Sequence, residues 1–187
     1  FPETYLFPKN TPITVILENA HNLLLKILDE EWRLRDYGIL IQNPYQALIL
    51  ASIIEKESAI TDEREKISGV FHRRLSQEMK LQSDPTVIYG IGDNFDGDIK
   101  KEHLRADSPY NTYTRKGLPP SPISLPGRES IYAALHPSMG NEIYFVSSGN
   151  GDGRHIFSET KEQHDIAVSE YVRLQKENSL KKRESLK

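Results

Sequence analysis

The chain has 187 residues, enough for one domain with a real core, and 24 Lys and Arg set against 27 Asp and Glu leave a formal net charge of −3. That near-balance gives no whole-chain field for gripping a nucleic-acid backbone, and 37% hydrophobic with 27% charged residues excludes a disordered chain. Cysteine is absent, which removes disulfides, thiolate catalysis and Cys-ligated zinc and leaves the redox compartment open.

The chain starts at Phe1 rather than Met, so we expect a piece of a longer protein whose targeting or anchoring segment lies outside it. No apolar run approaches the roughly 18 residues of a spanning helix, and no signal peptide is present. Residues 1–10, with two prolines, read as an extended lead-in. Thr11 as N-cap and Pro12 at the first helical position open a helix. Its apolar stripe of Ile13, Ile16, Leu17, Ala20, Leu24, Ile27 and Leu28 carries it to about Trp32. Residues 44–60 form the most apolar helix candidate, expected to be central and buried. Thr61 and Asp62, with Glu65 in capping-box position, restart a helix whose core face is Ile67, Val70, Phe71 and Leu75. Arg73, Arg74 and Glu78 are expected to solvate its back. Asp84 and Pro85 read as cap and first residue of a short helix closed by Gly90. Residues 92–107 are polar and irregular, with a turn at Asp96-Gly97, and residues 110–126 form a long ordered loop of the kind that carries function. A short helix over 128–135 stops at Pro137. Strands 143–146 and 155–157 form a hairpin, and an amphipathic helix runs from Thr160 to about Glu177. The order of elements is α+β with helices dominant.

Several tempting sites fail. Asp93 to Asp98 resembles a calcium loop, but Phe95 holds a ligand position and Gly97 comes one place early. The glycines from Gly149 to Gly153 lie between two strands, not before a helix, and the six histidines show no ligand spacing, so no metal is expected. The carboxylates of the apolar helix stand out more. At about 100° per residue, Glu57 falls on the stripe of Leu50, Ile53 and Ile54, whereas Glu55 points toward the side of Leu48 and Ala51. A carboxylate on an apolar stripe is costly unless paired or protonated, and burial raises its pKa toward that of a general acid. The alternative is that Glu55-Lys56-Glu57 marks where the helix emerges into solvent.

Five segments carry a resemblance in chain order: residues 51–58 (ASIIEKES), 81–90 (LQSDPTVIYG), 110–114 (YNTYT), 117–120 (GLPP) and 133–137 (AALHP). Pro126-Gly127 and the Tyr144-Phe145-Val146 strand add to them. Together they resemble the YceG-like family of endolytic murein transglycosylases, the MltG type, over nearly the whole chain. The resemblance implies a lysozyme-like α+β catalytic domain over residues 1–178, followed by a frayed basic tail over 179–187. The N-terminal membrane anchor and a LysM-like lobe of the family are not visible in the chain. It implies cleavage between N-acetylmuramic acid and N-acetylglucosamine to give 1,6-anhydro ends, with Glu57 as acid and then base. Ser58, Gln82, Ser83, Tyr110, Asn111 and Tyr113 become candidate substrate-binding residues, each tyrosine having ordinary packing as its alternative. Asp84 reads as a helix cap before a second acid. The implied partners are peptidoglycan glycan strands and cell-wall synthases, with no cofactor. The implied location is a single-pass anchor in the cytoplasmic (inner) membrane with the catalytic domain on its outer, periplasmic side. The competing reading is a non-catalytic murein-binding or scaffolding module.

Overall fold

The computed structural model describes residues 1–184, with side chains through Ser179. Seven helices and one hairpin are present among them: α1 Ile13–Leu34, α2 Pro44–Glu57, α3 Arg64–Ser76, α4 Asp84–Ile91, α5 Lys101–Arg105, α6 Arg128–Leu135 and α7 Lys161–Glu184, with β1 Tyr144–Ser147 and β2 His155–Ser158. The fold is therefore helix-dominated α+β. The strands pair antiparallel, Tyr144 opposite Ser158 and Ser147 opposite His155. Among the described residues no helix is long and apolar enough to cross a membrane.

Helix α2 is the central element. Asn43 accepts a hydrogen bond from the Gln46 backbone and Pro44 follows it, a favourable start because proline lacks an N–H that would otherwise be orphaned. Ala47, Leu50, Ala51, Ile53 and Ile54 are all fully buried, against α6 most extensively and then against α3 and α1. The helix ends at Glu57, three residues earlier than the apolar run suggests. Ser58 turns extended, and its hydroxyl donates to the Ile60 carbonyl and accepts from the Ile60 N–H. A short 3-10 turn, Thr61–Glu63, replaces the expected capping box before α3.

Glu55 is not a solvated helix end. Its carboxylate accepts from the Gly127 N–H at 3.0 Å and the Ser130 hydroxyl at 2.6 Å, with the Arg64 guanidinium at 3.6 Å. A side chain of α2 thus caps α6, whose own Gly127 offers none. Arg74, expected on a solvated back, is buried at 6% exposure. Its Nε donates to the Ile143 carbonyl (2.7 Å) and its Nη1 to Leu81 (2.6 Å), tying α3 to both the hairpin and the segment before α4. Helix α4 stops at Gly92, whose φ of +63° suits glycine, and not at Gly90. Helix α7 continues to Glu184, beyond the expected start of the tail, and residues 185–187 of that tail lie outside the described residues.

Replacing Glu55 with Ala leaves α6 uncapped and the Arg64 charge without its buried partner. Thermal denaturation should show a loss of about 2 kcal/mol, or roughly 4–8 °C in Tm for a chain of this size. An unchanged midpoint would refute the capping role.

Candidate active site

The last residue of α2 faces a cleft of about 390 Å³, lined by Glu57, Arg74, Gln82, Asp84 and Tyr113 and by residues of the hairpin and α7, including Tyr144, His155, Lys161 and His164. Glu57 is half-buried. Its Oε1 accepts from the Ser83 hydroxyl at 2.5 Å. Burial pushes the Glu57 carboxyl up to about 7, and the nearby Asp84 charge adds to the rise, while the Ser83 hydrogen bond and the Arg74 guanidinium act against it. Its position at the C-terminus of α2, the negative end of the helix dipole, also disfavours the carboxylate.

Ser83 is held by a second layer. Gln82 adopts φ +52°, a left-handed conformation unusual for a non-glycine residue, and its N–H donates to the Thr112 carbonyl. The Ser83 N–H donates to the Thr112 hydroxyl at 3.0 Å, and that hydroxyl also pairs with Thr86 at 2.8 Å. Thr112, which is buried, therefore clamps the turn that carries Gln82 and Ser83. This strain beside a titrating group is of the kind stored at functional sites.

The structure sorts the expected site residues into two groups. Glu57, Gln82 and Tyr113 line the cleft, and the buried Ser83 reaches it through Glu57. Asn111, Tyr110 and Ser58 do not line it. Asn111 is 1% exposed, its amide donates to the carbonyls of His103, Leu104 and Ala106, and its Oδ1 accepts from the Tyr113 N–H. All its hydrogen-bonding capacity goes to holding the end of α5 and aiming Tyr113, none to a ligand. Tyr110 packs against Tyr89 with ring centroids 4.9 Å apart and pairs its hydroxyl with Ser121. Ser58 closes the turn after α2.

Asp84 also departs from expectation. It is the first residue of α4, caps nothing with its side chain, and accepts from the Tyr113 hydroxyl at 2.5 Å within the cleft. Tyr113 is held well above its usual pKa, first by burial and then by that hydrogen bond, so it remains a donor. Asp107 is bound bidentately by Arg115 and lies on the exposed surface. Arg74, Thr112, Tyr144, His155, Lys161 and His164 escaped the sequence reading because no local spacing links them to Glu57. Among the described residues no cluster of three or more His, Asp or Glu is placed to hold a metal.

Fold and site together define a helix-dominated α+β domain with a polar cleft, holding a raised acid, at the end of its central helix. The model of the YceG-like family matches residues 1–170, and the chain belongs to that family. It is 41% identical over 128 residues to a Bacillus subtilis protein described as an endolytic murein transglycosylase, covering 68% of this chain and 35% of that one. It is 31% identical over 179 residues to a Streptococcus pneumoniae protein of the same description, covering 92% and 31%. The chain thus spans about a third of the length of these relatives. A crystal structure of a YceG-like protein from Listeria monocytogenes aligns with a TM-score of 0.74 at 35% identity, covering 89% of this chain and 53% of that one.

The raised acid carries a stability signature. A carboxyl whose folded pKa stands near 7, against an ordinary 4.5, keeps its full contribution below about pH 4.5 and loses it as pH rises through 7. Denaturant midpoints should therefore fall between pH 5 and 8 in the native sequence, and Glu57→Gln should flatten that fall, leaving the variant more stable at pH 8 by up to a few kcal/mol. Parallel pH profiles for the two proteins would contradict the burial of the charge.

Proposed function

We propose that this domain is an endolytic lytic transglycosylase of peptidoglycan, with Glu57 as acid and then base. The observation that carries the proposal is the Glu57 carboxyl, raised to about 7 at the edge of a polar cleft. Such a group is protonated in a useful fraction at neutral pH and can still act as a base once it has given up its proton. Family membership and the names of the two relatives support the substrate class.

Glu57 protonates the oxygen leaving between N-acetylmuramic acid and N-acetylglucosamine, and positive charge develops at C1. The new carboxylate is stabilised by the Ser83 hydroxyl and the Arg74 charge. It then takes the proton of the muramoyl 6-hydroxyl, whose oxygen closes on C1 to give the 1,6-anhydro end. An intramolecular nucleophile carries a high effective molarity, so no second carboxylate is required to activate water. Asp84, oriented by Tyr113 in the same cleft, would favour the developing cation through its negative charge.

Asp84 also supports a second reading. Two carboxylates in one cleft are the equipment of a hydrolase, with Asp84 activating water. A non-catalytic murein-binding module, in contrast, gains nothing from a destabilised acid beside a strained turn. For the whole protein we propose the setting implied by the family resemblance: a membrane anchor, the catalytic domain on the outer side of the cytoplasmic membrane, and cell-wall synthases as partners.

Purified glycan strands and mass spectrometry decide between these readings. The expected products carry anhydromuramoyl ends, one water lighter than hydrolysis products, and appear as mixed lengths from the outset. Glu57→Gln should lower turnover by about a hundredfold or more while the protein stays folded. Turnover should fall as pH rises above about 7, because the acid must start protonated. Reducing muramic acid ends would establish hydrolysis, and an active Glu57→Gln variant would remove Glu57 from the chemistry.

A further inference from the structure

Part of the cleft lining is basic and aromatic: Arg74, Tyr144, Lys161 and His164. Arg74 is 6% exposed, yet no carboxylate lies within 4.0 Å of it among the described residues. Two of its nitrogens are taken by the carbonyls of Ile143 and Leu81, and Nη2 has no partner among the described residues. Its guanidinium lies 5.5 Å from the centroid of the Tyr144 ring, and His164 stacks on the same ring at 5.0 Å and 19°. The Nδ1 of His164 is buried without a hydrogen-bond partner. Lys161, one helical turn earlier on α7, completes the lining and also holds Asp165 at the solvent edge. The Lys161 and Arg74 charges both act on His164, which places the three groups in one electrostatic neighbourhood.

A buried guanidinium whose acidic neighbour, Glu57, is itself partly protonated near pH 7 is costly, because its desolvation is only partly offset by a counter-charge. The hydrogen bonds to two carbonyls fix its orientation, and Glu57 offsets the charge only when that carboxyl is ionised. A carboxylate entering the cleft would accept from Nη2 and supply a full counter-charge. Resting on the reading proposed above, we propose that Arg74, Tyr144, His164 and Lys161 form a subsite for the acidic arm of the muramoyl unit. The muramoyl residue differs from N-acetylglucosamine by a lactyl ether ending in a carboxyl group, either free or extended by a peptide that bears carboxylates. The subsite thus distinguishes murein from neutral polymers of N-acetylglucosamine and sets which sugar of the strand lies beside Glu57.

Titration calorimetry on Glu57→Gln tests this without turnover, using four soluble probes. These are an N-acetylglucosamine tetrasaccharide, a peptide-free murein tetrasaccharide, the same murein with its lactyl carboxyls amidated, and a stem-peptide-bearing murein tetrasaccharide. Carboxylate-bearing murein should bind about tenfold tighter than the neutral and amidated probes, the gain of one charge-assisted contact. Adding Lys161→Ala and His164→Gln should shrink that gap and leave the neutral tetrasaccharide unaffected. Lys161→Ala alone, at an exposed residue, should shrink it in the same direction and keeps the test independent of the His164 stack on Tyr144. Tighter binding of the peptide-free probe assigns the lactyl carboxylate, and tighter binding of the stem-bearing probe assigns the peptide carboxylates. Equal affinity for all four probes overturns the subsite. Failure of the native sequence to cleave any strand would instead overturn the proposed reaction, and the binding results would still decide the subsite.

Discussion

The hydroxyl of Ser83 reaches the Glu57 carboxyl across 26 residues of sequence, and the rest of the structure is arranged so that this contact exists. Five influences act on that carboxyl. Burial, the C-terminal end of α2 and the Asp84 charge favour its protonated form, while Ser83 and Arg74 favour the ionised one. The balance leaves the group near neutrality, able to give a proton and to take one. A fully exposed glutamate would lack the first ability and a fully buried one the second. The half-buried position at a helix end, with one donor fixed against it, provides both.

Holding that position requires rigidity on both sides of the contact. On the Glu57 side, α2 is locked by its apolar faces and by Ser52, which accepts from the Ile123 N–H through its hydroxyl and from the Ser124 hydroxyl through its carbonyl. On the Ser83 side, Thr112 holds the strained Gln82 turn and Asn111 holds the segment that presents Tyr113. The loop over 110–126 therefore serves as a brace, with Asn111, Thr112 and Ser124 turned inward onto backbone groups. Its composition looks like that of a ligand-binding loop because Asn, Thr and Tyr are equally suited to satisfying buried carbonyls.

The far wall is tied in through two buried charged residues. Arg74 joins α3 to the hairpin, and Glu63, 4% exposed, accepts from both the N–H and the Nδ1 of His155. Both contacts span more than 60 residues, and both fix the hairpin against the helical core. A two-stranded hairpin has little stability by itself, so its place beside the cleft depends on these anchors and on Phe145, which packs edge-on against Phe71.

The sequence by itself determined most element types, because hydrophobic period and turn chemistry are local; the short α5, Lys101–Arg105, lies in a stretch that reads as irregular because its five residues carry no apolar period. The apolar run of α2, the α6 span of 128–135 and the pairing of two short strands all follow from neighbours within a few residues. It also marked Glu57, through a carboxylate on an apolar stripe together with family-like motifs. Tertiary structure alone decided what each polar group does. Whether Asn111 meets a sugar or three backbone carbonyls, whether Asp84 caps a helix or meets Tyr113, and whether Arg74 is solvated or buried depend on partners dozens of residues away. No local pattern encodes those partners. A polar side chain takes its role from whichever unsatisfied group the packed core brings within about 3 Å of it, and that is fixed only when the helices close on one another.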